Sequence, residues 1–330
     1  MSSHEMGSGA IVVLKQFAKR MVTGNNPLKK YHLNQESATL SRAEQQALNV
    51  GVILAEMNNE YINSLKVAKH NAVEYQKGLL SKWWGIGSPE EAEKILEWLK
   101  NKGHRKIFSV ILKNSSAALE REPSFKDFRL ACEEAGLSLI EKKTQEKYER
   151  AVGLVGKYLD VLYSIHTKMP DKEIDNLIEE NNMIFYDIET FKICIKIYRT
   201  VSVKYNEYIK YIRNLRQSLG KLRYRGFADE EAGFRRINPA AWDMGRLVNV
   251  ARWCYGCGYI TESKAWEYIF FAEKESTDCY TNWASFGNAY MIGRALWGGE
   301  NDLLDVALLA VDGLLSDENS PWTLAPLHAH

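Results

Sequence analysis

Pro239-Ala-Ala-Trp242-Asp243-Met244-Gly245-Arg246-Leu247-Val248-Asn249 is the stretch that decides the fold. Proline suits the first turn of a helix, and the run that follows carries helical spacing through Trp253. That spacing puts Trp242, Arg246, Asn249 and Trp253 on one predicted face. The pattern returns at Tyr290-Met291-Ile292-Gly293-Arg294, again with glycine directly before arginine. A glycine inside a helix costs about 1 kcal/mol relative to alanine, and close approach of two helices is the simplest reason for it. The two motif-bearing segments are therefore expected to pack together around a tryptophan-lined cleft. All nine tryptophans support this, falling at Trp83–Trp98 or from Trp242 onward.

Outward from that stretch the chain reads as all-α. Ser41-Arg-Ala-Glu44 is a capping box opening a helix through Ala47, Val50, Leu54 and Met57. Ser88-Pro89-Glu90-Glu91 opens another, with Ala92, Ile95, Leu96 and Leu99 as its apolar face and Gly103 as its stop. His104-Arg105 then falls in a turn. Further helices are expected over Ser124–Gly136, Thr144–His166, from Thr261 with Trp266, Ile269 and Phe270 inward, over Trp283–Leu296, and over Leu303–Leu315. Strand signals are scarce; the short apolar run Ile107–Leu112 is the best candidate. Residues 1–35 read as a flexible leader and 36–330 as a single helical domain. Within it, 109–233 is an inserted charged segment.

That insertion has two halves of opposite sign. Asp171, Glu173, Asp175, Glu179, Glu180, Asp187 and Glu189 give an acidic stretch. Lys192–Arg225 follows with ten basic residues against the single acid Glu207 and with five tyrosines interleaved. Adjacent helices of opposite charge are expected to pair as a hairpin. The alternative is a nucleic-acid surface, with Lys204, Lys210, Arg213 and Arg216 on phosphates and tyrosines stacked on bases.

Over all 330 residues the net charge is +1, which gives no general pull toward nucleic acid or acidic membranes. No apolar run approaches the roughly 18 residues of a spanning helix. Five scattered cysteines argue against a disulfide framework and for a reducing compartment, so a cytoplasmic location is expected. Cys254-x-x-Cys257 is half of a zinc site, with Cys279 as its nearest companion and no second pair, so neither metal nor cofactor is expected. No phosphate-cradling loop, nucleophile elbow or metalloprotease signature occurs.

The candidate cleft gathers Trp242, Asp243, Arg246, Arg252, Trp266, Trp283, Arg294 and Trp297, with His104 and Arg105 as a further acid/base and anion pair. Asp243 and Arg246, at i and i+3, are neighbours on a helix. They read either as a structural ion pair or as an arginine oriented to hold an anionic substrate.

A series of motifs resembles a bacterial family of unknown function, the domain numbered 1266. The series runs through Leu40-Ser-Arg-Ala-Glu-Gln-Gln46, Glu56-Met-Asn58, Trp84-Gly-Ile-Gly-Ser-Pro-Glu-Glu91 and Trp98 to Phe108 around Gly103-His104-Arg105. It continues through Ala241–Arg246, Gly258–Glu262, Ala265-Trp266, Trp283–Phe286, Gly293-Arg294 and Ser320-Pro-Trp322. The resemblance covers about residues 35–108 and 234–330 and implies a helical domain without an assigned activity or site. A protein-interaction module binding another protein through the charged middle is the leading expectation. An enzyme acting on an anionic small molecule or nucleotide in the cleft is the alternative.

Overall fold

The computed structural model describes residues 31–36, 40–68, 72–139, 151, 153–155, 188–227 and 231–328. Among these every regular element is helical: α1 (Arg42–Asn49), α2 (Val52–Asn58), α3 (Ala72–Leu79), α4 (Pro89–Asn101), α5 (Arg105–Lys113), α6 (Ser115–Glu120), α7 (Phe125–Glu134), α8 (Ile188–Tyr224), α9 (Glu231–Phe234), α10 (Ala240–Gly256), α11 (Glu262–Cys279), α12 (Trp283–Gly298), α13 (Asp302–Ser316) and α14 (Pro321–Leu324). Leu80–Trp84 extends α3 as a π-helical turn that ends at the left-handed Gly85. The run Ile107–Leu112, the best strand candidate, is helical within α5. No helix among the described residues is long and apolar enough to cross a membrane.

Local chemistry places the helix ends where the sequence puts them. Ser41 and Glu44 form the capping box of α1, Ser88 caps α4 with Pro89 at N1, and Thr261 caps α11. The first expected helix is broken, however, at Val50–Gly51. A Cβ on Gly51 would lie 2.6 Å from Val248 Cγ1, so the break lets α10 pass close to the backbone there. Residues 31–34, expected to be part of a loose leader, are tied in. The Ile62 N–H donates to the His32 carbonyl at 3.0 Å, and Asn34 bonds Asn63 and Ser64.

The chain forms two compact units, Met1–Ser109 with Gln217–His330, and Val110–Arg216. In the second unit Phe125 and Phe128 of α7 pack on Tyr205 and Tyr208 of α8, with Phe128 and Tyr208 4.9 Å apart. Four of the five tyrosines interleaved in the basic stretch are therefore core, Tyr198, Tyr205, Tyr208 and Tyr211 being buried, while Tyr224 is exposed. The Thr144–His166 helix and the acidic half of the expected hairpin, up to Asp187, lie largely outside the described residues.

In the first unit α10 is the central element. Ala240 through Cys254 are all buried, and α2, α3, α4, α11 and α12 pack around it. The single inward face expected of this helix is thus a helix buried on every side. Its polar residues Asp243, Arg246, Asn249 and Arg252 each need partners inside the protein. α10 and α12 meet through the two glycines. A Cβ on Gly245 would lie 2.8 Å from the Tyr290 ring, and one on Gly293 would lie 2.4 Å from Trp242 Cβ. Each motif lends its glycine to the large aromatic of the other.

Candidate functional site

The Asp243 carboxylate is fully buried and faces the turn between α4 and α5. One oxygen accepts the His104 backbone N–H at 3.1 Å and the other accepts that of Arg105 at 2.8 Å. These amides open α5, so Asp243 supplies an anion at a helix N-terminus from elsewhere in the chain. Gly103 makes room for it, being left-handed at φ +54° with a Cβ position only 2.0 Å from Asp243 Oδ2. Arg105 closes the other side by donating to the Leu99 carbonyl at 2.6 Å and to the Lys100 carbonyl, in the last turn of α4. Asp243 and Arg105 together pin one helix end to the next helix start.

Arg246 Nη2 completes the carboxylate at 2.5 Å from Asp243 Oδ1, while Nε donates to the Trp242 carbonyl at 3.1 Å. The guanidinium lies 4.5 Å from the Trp242 ring centroid and 5.3 Å from that of Trp84, which the π-helical turn delivers. His104 Nδ1 is 2.9 Å from Arg246 Nη2 and 3.8 Å from Asp243 Oδ1. The shorter contact is with an obligate donor, so Nδ1 accepts and the neutral ring carries its proton on Nε2. Burial, helped by the Arg246 charge and against the pull of Asp243, holds His104 below the usual histidine range. Burial pushes the Asp243 carboxyl up, but His104 and Arg246 outweigh it and hold the group below the usual carboxylate range.

Arg294 is placed differently. It is 2 % exposed, and no carboxylate among the described residues lies within 4.0 Å of it. Nη2 donates to Asn301 Oδ1 at 2.7 Å, and the guanidinium sits 5.6 Å from the Trp297 ring centroid. Its Nη1 has no hydrogen-bond partner among the described residues, and neither do Tyr290 Oη and Trp242 Nε1. These three groups belong to one cluster. The Trp242 ring is 5.2 Å from Tyr290 and 5.8 Å from Trp297. Burial pushes the Tyr290 phenol up, while the Arg246 and Arg294 charges both act to lower it. Burial also brings Arg294 down to about 10. Trp84 and Trp297, half-buried, form the rim.

Other candidates fall elsewhere. Arg252 of α10 holds the loop after α2, donating to the carbonyls of Tyr61, Ser64 and Lys66. Trp266 is outside the cluster: the buried face of α11 is Ala265, Tyr268, Ile269, Ala272 and Ser276, and Trp266 packs on the exposed Phe270. Trp283 stacks on Trp322 at 5.1 Å and lines a separate depression of about 270 Å³ with Leu327 and His328. Cys254 is buried within α10 and Cys257 is its C-cap; burial raises both thiols, Cys254 to about 12. Cys279 Sγ lies 3.0 Å from Asn238 Nδ2.

The basic stretch is largely engaged within its own unit. Arg213 pairs with Glu122 through two 2.7 Å bonds, Arg216 donates to the Ala118 carbonyl, and Lys204 donates to the Leu139 carbonyl at 2.8 Å. Lys210 is exposed. Sequence reasoning missed Tyr290 as a site residue, although its place four residues before Arg294 sets both on one helix face.

A sequence family described as "Protein of unknown function (DUF1266)" matches residues 79–327. The matched span begins after the Leu40–Gln46 motif and runs through the charged middle. No curated protein and no solved structure matches the chain.

Proposed function

The chain belongs to the DUF1266 family, and we propose that it binds a small anion among Arg294, Tyr290 and Trp242. One observation carries this reading. Arg294 is a buried guanidinium with no carboxylate within 4.0 Å among the described residues, and its Nη1 shares a cluster with Trp242 Nε1 and Tyr290 Oη, which likewise have no hydrogen-bond partner among those residues. A buried lone charge costs several kcal/mol, and buried donors left unpaired cost about 1–3 kcal/mol each. A carboxylate, phosphate or sulfate group supplies both the missing charge and the missing acceptors. Two obligate donors, Arg294 Nη1 and Trp242 Nε1, beside a phenol that can donate as well, match an oxyanion better than a cation.

The reading is one of binding rather than reaction. Asp243, Arg105 and Arg246 are committed to one another and to helix ends, and His104 Nδ1 accepts from Arg246. For nucleic acid, the engagement of Lys204, Arg213 and Arg216 and the burial of four of the five tyrosines count against phosphate and base contacts along this stretch. The charged middle offers Val203, 58 % exposed on α8, as the observation favouring a protein partner, and that is the second reading.

Thermal unfolding in acetate, succinate, phosphate and sulfate, at ionic strength matched with chloride, tests the first. At a hundred times its dissociation constant a specific ligand adds about 2.7 kcal/mol to stability. At least one oxyanion is expected to raise the melting temperature in a saturating, dose-dependent way. If every anion follows the ionic-strength control, the proposal fails.

A further inference from the structure

A second buried polar group sits on the last turns of α10. Glu60, 1 % exposed, lies in the loop that follows α2. Its Oε1 accepts from Trp253 Nε1 at 2.9 Å, Tyr75 Oη at 3.2 Å and Asn58 Nδ2 at 3.4 Å. Its Oε2 has no hydrogen-bond partner among the described residues. The nearest cation is Arg252, with Nη1 at 3.8 Å. That guanidinium is occupied. Nε and Nη2 donate to the carbonyls of Tyr61, Ser64 and Lys66, and Nη1 reaches Asn249 Oδ1 at 3.4 Å.

A carboxyl and a guanidinium thus share one buried site without a hydrogen bond between them. The three donors all sit on Oε1, and an ionised Oε2 buried with no donor is costly, with Arg252 too far away to supply one. Arg252 from α10 is the one charge facing the carboxyl among the described residues. Tyr75 from α3 is the other titratable neighbour, and Trp253 and Asn58 are neutral. Burial pushes Glu60 up to about 7, against the pull of Arg252 and the three donors.

We infer that Glu60 is a proton-operated latch on the loop from Asn59 to Lys66. With the proton on, Arg252 stays on the three loop carbonyls. When the proton leaves to solvent, bare Oε2 draws Arg252 toward itself and away from Tyr61, Ser64 and Lys66. The loop loosens, and with it residues 32–34, which hydrogen-bond to Ile62, Asn63 and Ser64.

Folding raises this carboxyl, so its stabilising contribution is complete below its ordinary value of 4.5 and is lost as pH rises through about 7. His104, lowered on folding, acts the opposite way: its contribution is complete above 6.5 and is lost as pH falls through its lower folded value. Comparison at one pH with Glu60→Gln, which copies the protonated form, isolates the latch from His104 and from intrinsic exchange chemistry.

The experiment is amide hydrogen exchange of the full chain. At about pH 8.5 the Tyr61–Val67 amides are expected to exchange about tenfold or more faster in the wild type than in Glu60→Gln, and at about pH 5.5 the two should match. Equal protection at the higher pH, or a wild type better protected than the variant, overturns the latch. Infrared spectra of the wild type alone keep the test decisive if the variant fails to fold. The carbonyl band of a buried protonated carboxyl should be present at the lower pH and gone at the higher. Its absence at the lower pH, or its persistence at the higher, overturns the proposal.

Discussion

Asp243→Asn is expected to lower the unfolding free energy by about 3–5 kcal/mol, the usual loss when one partner of a buried ion pair is removed. The Asp243 carboxylate accepts from the first amides of α5 and from Arg246. An asparagine amide keeps one acceptor but turns an NH2 toward groups that are themselves donors. Arg246 then becomes a second uncompensated cation beside Arg294 in the same aromatic cluster. Denaturant unfolding with an unchanged slope reads the loss directly. A loss under about 1 kcal/mol would show that α5 and Arg246 do not depend on the carboxylate.

Gly103→Ala is expected to approach that effect from the other side of the contact. The left-handed backbone alone costs alanine about 1–2 kcal/mol. The added Cβ, 2.0 Å from Asp243 Oδ2, must also push the carboxylate off the His104 and Arg105 amides. A total near 3 kcal/mol follows if about 1–2 kcal/mol of hydrogen bonding is lost as well. Because both changes break one contact, the double variant should lose at least about 1 kcal/mol less than the sum of the two. Additivity within about 0.5 kcal/mol would mean that Gly103 and Asp243 act independently.

The parts of this architecture legible in the sequence are those written locally. The caps at Ser41, Ser88 and Thr261, and the proline before α10, are read from neighbours three or four residues away. The glycines before Arg246 and Arg294 announce a close helix crossing, because a helix keeps interior glycines at a known disadvantage. The surroundings of α10 were not legible. Asp243, Arg246 and Arg252 read as cleft residues and Asn249 as part of the same helix face, yet Asp243, Asn249 and Arg252 each find partners in a different, distant element, while Arg246 pairs with Asp243 in its own helix. Asp243 meets the α4–α5 turn, Asn249 meets the Gly51 carbonyl, and Arg252 meets the loop after α2. Glu60 carries no local mark at all; Glu56-Met-Asn-Asn-Glu60 reads as an ordinary polar helix end. The charge run of α8 misleads for a related reason, since Glu122, which neutralises Arg213, comes from before α7.

Two arginines in matching Gly-Arg motifs therefore have different roles. Arg246 is spent on Asp243, whereas Arg294 donates to Asn301 Oδ1 and keeps Nη1 without a hydrogen-bond partner among the described residues. The most direct test is the unfolding free energy of Arg294→Met beside the wild type, with no ligand added. Methionine fills the space of the side chain without its charge. If Arg294 is held for an anion, the variant should be as stable as the wild type or more stable, by up to about 1–4 kcal/mol as buried charges give way to apolar groups. A loss of more than about 2 kcal/mol would contradict the account, because it would make Arg294 part of what holds the fold together.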